Sequence, residues 1–357
     1  MHRDTAWVLT GGDPLAADRL AREIGISDLL AHLLVRRGVR SPEEGRRFLE
    51  PRAAEFHDSS LLLGAEEAAD RLVSTARGGG RIVVFGDYDV DGVTAVAQLK
   101  AALGRIGAEV RTFIPHRLRD GYGLRPQTVR RVLRDLAPAA IVTVDCGITA
   151  AEGVACARAA GVEVVVTDHH LVPDELPAGA VVVNPRQPGC AYPFKDLAAS
   201  GIAMKMAEAI ARRGRVSLSR DSLLRVASLG TIADLVPLAG ENRAIAAAGL
   251  AALADSRAPG LRALLAEAGI EPGTPPSSEQ VAFRIAPRLN AAGRLDTAAL
   301  ALSLLEERDA SRAVSVAREL SQRNAERQAL ERRVVSEARK RIEDGGGVGD
   351  LAVIVEA

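Results

Sequence analysis

The chain has 357 residues, 47% of them hydrophobic and 26% charged, enough for two domains or one large domain with additions. Lys plus Arg and Asp plus Glu each number 46, so the formal net charge is zero; this excludes a globally basic nucleic-acid binder but not a local basic groove. Aromatic residues make up only 3%, which argues against base-stacking platforms as the main binding device.

Cys146, Cys156 and Cys190 have no CxxC spacing, so there is no zinc signature, and the usage fits a reducing compartment. The N-terminus Met1-His2-Arg3-Asp4-Thr5 lacks a long apolar run, and no stretch approaches the ~20 apolar residues of a membrane span. A cytoplasmic protein with no membrane partner is expected.

In chain order, helical patterns run over Pro14 to Ile24, Ser27 to Arg37 and Ser41 to Leu49, with Ser27 and Ser41 as N-caps and Pro51 as a stop. Gly64 to Ala76 is a further helix, broken by Gly78-Gly79-Gly80. A strand–helix rhythm follows. The pattern predicts strands at Arg81 to Phe85, Glu109 to Ile114, Ala139 to Val144, Val162 to Thr167 and Ala180 to Val183. The intervening helices are placed at Thr94 to Arg105, Pro126 to Asp135 and Ala150 to Ala160. Near-continuous Val/Ile runs between helices indicate an α/β fold with a parallel sheet covered on both faces. In such sheets ligands bind beyond the carboxyl ends of the strands.

Helices dominate from about Ala198 to Ala268, Glu271 to Ser278 is a loop, and Leu302 to Ile342 reads as one long charged helix. Gly345-Gly346-Gly347 breaks it, and Leu351 to Val355 reads as a strand that opens a new unit.

The chemistry gathers at the strand ends. The first offers Asp87, Asp89 and Asp91, followed by Gly92. Carboxylates packed this tightly repel one another and coexist when a cation lies between them. The Asp-x-Asp-x-Asp-Gly run is not a calcium loop of the EF-hand kind, because counting from Asp87 the twelfth residue is Gln98, not Glu. Two later βα junctions offer Asp145 and then Asp168-His169-His170, and a helical segment offers Asp234. Asp234 joins them only if its helix folds back. Mixed carboxylate and imidazole donors suit Mn²⁺ or Mg²⁺, and their number suggests two ions sharing a carboxylate.

A second set suits phosphate. Arg117, Arg119 and Tyr122 lie on the loop after the second strand, and Arg284, Arg288 and Arg294 lie near a Gly293 turn.

Taken together, Gly86-Asp87-Tyr88-Asp89-Val90-Asp91-Gly92, Val144-Asp145-Cys146-Gly147, Asp168-His169-His170 and Thr231-Ile232-Ala233-Asp234-Leu235-Val236-Pro237-Leu238 resemble the four ordered motifs of the DHH phosphoesterase superfamily. Within it the chain is most similar to the RecJ family of single-strand-specific 5′→3′ exonucleases. That likeness rests on Arg117 with Asp120-Gly121-Tyr122-Gly123-Leu124, on Val183-Asn184-Pro185-Arg186, on Ala286 to Leu295, and on Leu30 to Pro51.

The resemblance implies two divalent ions, Mn²⁺ or Mg²⁺, held by Asp89, Asp91, Asp145, His169 and Asp234, with Asp145 as the bridge and Asp87 a ligand or a neighbour of one. It implies that His170 contacts the scissile phosphate, and that Arg117, Tyr122, Arg288, Asn290 and Arg294 hold the substrate. It also implies single-stranded DNA as partner, with a single-strand-binding protein and a helicase nearby, in repair and recombination. Rival readings are a DHH hydrolase of short oligonucleotides, cyclic dinucleotides or pyrophosphate, and a non-enzymatic replication scaffold, which the filled ligand positions disfavour.

The expected division is a helical region over 1–60, a DHH domain over 61–301 with a helical part from about 198, a connector helix over 302–344, and the start of a truncated C-terminal domain at 345–357. The DHH-associated and oligonucleotide-binding domains of the family are expected to be missing, and Val348 stands where a Gly-Gly-Gly-His motif needs His.

Overall fold

A computed structural model describes residues 12–51, 56–117, 119–295 and 298–344. Five short runs form one parallel sheet: β1 (Ile82–Phe85), β2 (Val110–Phe113), β3 (Ala140–Val144), β4 (Glu163–Thr167) and β5 (Val181–Val183), in the order β2-β1-β3-β4-β5. Val84 sits between Thr112 and Val142, and Thr143 pairs with Val166. Side chains alternate, as strand geometry requires. Ile82, Val84, Val142, Val144 and Val165 enter one core, and Val83, Phe85, Ile141, Val164 and Val166 enter the other.

The first core is closed by α4 (Ala65–Arg77), α5 (Val90–Arg105) and α8 (Ala199–Gly214), the second by α6 (Pro126–Leu136) and α7 (Ala151–Ala159). Burying each Val, Leu or Phe of these cores contributes about 1.5–3 kcal/mol, which explains why β1, β3 and β5 are buried along their whole length, whereas the edge strand β2, Val-Arg-Thr-Phe, is only partly buried. The chain leaves β1 for β2 on one side and continues to β3 on the other. The order therefore reverses at β1, and a crevice opens at the carboxyl ends of β1 and β3.

Ahead of the sheet, α1 (Pro14–Ile24), α2 (Asp28–Arg36) and α3 (Pro42–Leu49) enclose a small core of Ala17, Leu20, Ala31 and Val35. Ser41 begins α3 with a capping box, its hydroxyl accepting from Glu44 N and its own N–H donating to the Glu44 carboxylate. The unit is fixed to the main body by Arg243, whose guanidinium lies 3.9 Å over the Phe48 ring and donates to the Phe48 carbonyl.

After the sheet come α9 (Arg220–Ala233), α10 (Gly240–Ala254) and α11 (Pro259–Glu267). A single turn, α12 (Ser278–Gln280), passes through a π-helical segment, Val281–Ile285, into α13 (Ala286–Leu295). Then α14 (Ala299–Glu306) and α15 (Ala310–Asp344) follow. Helix α8 buries Lys205 completely; its Nζ lies 2.6 Å from Glu241 Oε1 and donates to the His57 carbonyl at 2.7 Å. Tyr192 donates to the other Glu241 oxygen at 2.6 Å. Among the described residues no helix is long and apolar enough to cross a membrane.

Three expectations are corrected. Helix α5 starts at Val90 rather than Thr94, because Asp89 caps it by accepting from Gly92 N at 3.0 Å. The helix expected over Leu302 to Ile342 is two helices. Glu307 accepts from the backbone N–H groups of Arg308 and Asp309, and Asp309 then accepts from Arg312 N, so one helix stops and the next starts. Gly293 lies inside α13 and not in a turn. The Gly345 to Gly347 break and the strand at Leu351 to Val355 lie outside the described residues, as does Met1 to Thr5.

Candidate metal centre

The crevice at the ends of β1 and β3 collects the carboxylates. After Phe85 the chain turns through Gly86 and Asp87 into α5. Gly92 is needed there, since a Cβ on it would lie 2.7–2.9 Å from the Asp87 backbone. Asp87 Oδ1 is buried and has no hydrogen-bond partner. Asp91 is 1% exposed; its Oδ2 accepts from Ala199 N at 2.7 Å and its Oδ1 from Ser200 N at 2.9 Å. It thereby caps α8, whose own N-cap residue Ala198 has no side-chain acceptor.

Asp145 follows β3 in the left-handed region, φ +61°, a conformation an aspartate adopts at a cost and which turns its carboxylate into the crevice. Its N–H donates to Thr167 O and its carbonyl accepts from the Tyr122 hydroxyl, both at 3.1 Å.

After β4, the Asp168 carboxylate accepts from the backbone N–H of Ile148, His169 and His170 and pairs with His170 Nδ1 at 2.7 Å. His169 Nε2 lies 3.1 Å from Asp145 Oδ1, but without hydrogen-bond geometry, so that atom counts as unpartnered. His169 Nδ1 lies 3.8 Å from Asp234 Oδ2. Asp234 is the C-cap of α9, so its helix does fold back to the crevice.

Burial and mutual repulsion set the electrostatics of the cluster. Burial and then the Asp89 charge push Asp87 up to about 7. Burial and then Asp234 and Asp89 push Asp91 up to about 7. Burial and then Asp89 push Asp234 up to about 6, and Asp145 is raised well above the carboxylate range by burial and by Asp91, Asp89 and Asp87. His169 is pushed down to about 4, first by burial and then by His170, so its ring is a neutral donor at neutral pH. His170 goes the other way, raised chiefly by its bond to Asp168. Burial opposes the Asp168 charge, but the His170 contacts and the backbone donors outweigh it and hold that carboxyl below its usual range.

The donors fit divalent cations. Asp91, His169 and Asp234 offer ligand atoms within 4.8 Å of one another, as do Asp87, Asp89 and Asp145, and Asp145, His169 and His170. Asp145 and His169 each belong to two of these groups, so the clusters merge into one centre. Asp87 Oδ1 and His169 Nε2 are buried polar atoms without a hydrogen-bond partner, and a cation between the carboxylates and the imidazole would satisfy both.

Beside the centre lies a cleft of about 380 Å³ lined by Tyr88, Arg117, Tyr122, His170, Asn290 and Gly293, with Asp87, Asp89, Asp145 and Asp234 at its floor. Arg117 stacks over Tyr88 at 5.3 Å, and Tyr122 meets His170 edge-on at 6.2 Å. Asn290 Oδ1 accepts from Val90 N at 3.0 Å, tying α13 to the start of α5. Arg288 is not in the cleft: its Nε donates to Ser321 Oγ on α15 and its Nη1 to the Arg284 carbonyl. The side chain of Arg294 lies outside the described residues.

Sequence reasoning passes over two contributors. Asp168 stands there only as part of a motif, yet its role is to hold both histidines and the Ile148 turn. The run Leu197 to Ala203 is rich in small residues suited to close helix packing, and its Ala199 and Ser200 amides also grip Asp91. The signal available is a helix start without a Ser, Thr, Asp or Asn cap of its own.

Residues 81–231 match the family model described as the N-terminal domain of the DHH family. The single-stranded-DNA-specific exonuclease RecJ of Bacillus subtilis is 39% identical over 349 residues, which is 98% of this chain and 43% of that protein. The structure of RecJ from Thermus thermophilus in complex with Mn²⁺ superposes with a TM-score of 0.77 at 35% identity, covering 92% of this chain and 46% of that one. A structure of exonuclease RecJ bound to manganese gives a TM-score of 0.71 at 40% identity, covering 77% of this chain and 69% of that one. The chain spans about half the length of the curated relatives it matches. With its parallel sheet, its ordered motifs and these likenesses, the chain belongs to the RecJ family of DHH phosphoesterases.

Proposed function

We propose that this chain is a metal-dependent phosphodiesterase that degrades single-stranded DNA from its 5′ end and releases 5′-mononucleotides. The observation that carries the reading is the merged donor set around Asp145, placed at the floor of a cleft that also presents Arg117, Tyr122 and His170. Asp91, His169 and Asp234 would hold one divalent ion, Mn²⁺ or Mg²⁺, and Asp87, Asp89 and Asp145 the other, with Asp145 shared between them. Such a pair lowers the pKa of water and neutralises charge on the attacked phosphoryl group.

The protein's own groups supply the rest. Arg117 presents a guanidinium to a phosphate, a match in shape and charge. Asp168 keeps the proton on His170 Nδ1 and favours the imidazolium, leaving Nε2 as a proton donor toward the departing 3′ oxygen. Tyr122 sets its ring edge-on to His170 and donates its hydroxyl to the Asp145 carbonyl, which fixes the backbone that carries the bridge. Asn290 holds the first turn of α5, and with it Asp89 and Asp91.

A cleft of about 380 Å³ lies within the range of small-molecule sites, which admits as a second reading the hydrolysis of short oligonucleotides, cyclic dinucleotides or pyrophosphate. In the first reading the chain works in the cytoplasm on strands opened by a helicase and covered by a single-strand-binding protein. Its domains are then the helical region 1–60, the DHH domain 61–301, and the connector 302–344 with the unit beginning at 345.

One assay separates the readings: Mn²⁺-dependent digestion of labelled, 5′-phosphorylated single-stranded DNA beside duplex DNA, dinucleotides and pyrophosphate. Release of mononucleotides from the single strand alone is expected. An Asp145→Ala variant with full activity would sink the metal assignment.

A further inference from the structure

Helix α9 ends in Asp234, and one turn earlier it carries Gly230, whose carbonyl accepts from Asp234 N at 2.9 Å. Gly230 faces a crowded polar junction of Asp91, Thr94 and Ser200. A Cβ built on it would lie 2.6 Å from Asp91 Oδ1 and 2.5 Å from Ser200 Oγ, and would also run into Thr94 Oγ1. None of these groups has room to give way. Asp91, Thr94 and Ser200 are 1%, 0% and 0% exposed. Asp91 Oδ1 is bound to Ser200 N, and the Ser200 hydroxyl donates to Ala227 O at 3.1 Å. The Thr94 hydroxyl donates to Val90 O at 2.7 Å, and Gln98 Nε2 donates to Ser200 O at 2.9 Å. Three helices, α5, α8 and α9, therefore meet at a point where one of them has no side chain.

Two candidate ligands ride on this junction, Asp91 on α5 and Asp234 on α9, and they share a donor group with His169. Of the other donors, Asp87 and Asp145 stand on the turns after β1 and β3, and Asp89 is the N-cap of α5, so none of them is carried by α9.

We propose that Gly230 is a positioning residue that sets the spacing between Asp91 and Asp234, and so governs the affinity of one ion position and not the other. The methyl group of Gly230→Ala would push α9 away from α5 and α8 and carry Asp234 with it. Helix propensity by itself predicts the opposite, since Ala is favoured over Gly in a helix interior. The inference rests on the two-ion reading above.

The test is a Mn²⁺ titration of the metal-free full chain, followed by calorimetry and by the loss of the free-Mn²⁺ electron paramagnetic resonance signal. The wild type takes up two ions. In Gly230→Ala one ion binds within about twofold of the wild type and the other at least tenfold more weakly. Gly260→Ala serves as a control, since its Cβ, on α11, would meet the Leu304 carbonyl on α14 and not α9. It lowers thermal stability without separating the two affinities. If Gly230→Ala alone does not fold, Gly230→Ala with Ser200→Ala, which removes one hydroxyl from the methyl's path, carries the same comparison. Two ions bound as in the wild type, or both weakened in parallel, would overturn the proposal. A wild-type chain that takes up no Mn²⁺ would refute the two-ion reading and the proposal with it, a result distinct from either.

Discussion

Asp168→Asn is the sharpest probe of the centre's supporting structure. Asp168 is 1% exposed, and its Oδ1 accepts from His169 N at 2.8 Å, His170 N at 3.1 Å and His170 Nδ1 at 2.7 Å, while its Oδ2 accepts from Ile148 N at 2.9 Å. An asparagine keeps three of the four by placing its oxygen at Oδ1. Its NH₂ then faces the Ile148 N–H, two donors head to head in a buried site. Losing one bond to a charged acceptor and stranding its donor costs about 2–4 kcal/mol.

The pH dependence has a definite sign. His170 is raised in the folded state, so its share is fully present below its unfolded value of about 6.5 and is lost as pH rises through the folded one. Asp168 is lowered, so its share is present above about 3.9 and is lost as pH falls through its folded value. The destabilisation is therefore largest between about pH 4 and 6.5. His170 is 47% exposed, and solvent screening keeps its own contribution small. Urea unfolding of the metal-free protein across that range measures the loss, and a nuclear magnetic resonance titration follows His170, whose pKa should drop toward its ordinary value. A change under about 0.5 kcal/mol with an unmoved His170 titration would refute the reasoning.

Other outcomes follow from the same geometry. Asp87, Asp91 and Asp234 titrate near 7, 7 and 6 in the metal-free fold, above their unfolded values, so the folded state binds more protons. Metal-free stability should fall as pH rises from about 4 to 7, and saturating Mn²⁺ should flatten that slope in a thermal-melt series. Lys205→Met strands Glu241 in the core and should cost about 3–5 kcal/mol in urea unfolding, with no effect on Mn²⁺ affinity. Asn290→Ala removes the acceptor for Val90 N, and should cost about 1 kcal/mol and slow cleavage of single-stranded DNA. Arg288→Ala should slow it less, because that guanidinium is engaged with Ser321.

The sheet was legible because its strands are runs such as Ile82-Val83-Val84-Phe85, whose two buried faces leave no other reading. The centre was legible for a related reason: Asp87, Asp145 and Asp168 each stand just after such a run, and parallel strands place those ends side by side. What escaped is set by contacts distant in sequence. Asp91 and Ala199 are 108 residues apart, and nothing local announces that one caps the other's helix. The start of α5 was misplaced because Asp-x-Asp-Gly favours a loop until Gly92 is seen to pack on Asp87. The interruption at Glu307 to Asp309 hides among charged residues that suit an uninterrupted helix equally well. Arg288 clusters with other arginines in the chain, but its rotation about α13 is decided by Ser321.

The grip of α8 on Asp91 has a consequence for the order in which the protein comes into being. The first three carboxylates leave the ribosome early, yet the amides that orient Asp91 lie at residues 199 and 200, and Asp234 emerges later still. A nascent chain therefore holds a row of acids but no finished centre. The full donor set comes together only when the helices that follow the sheet have docked.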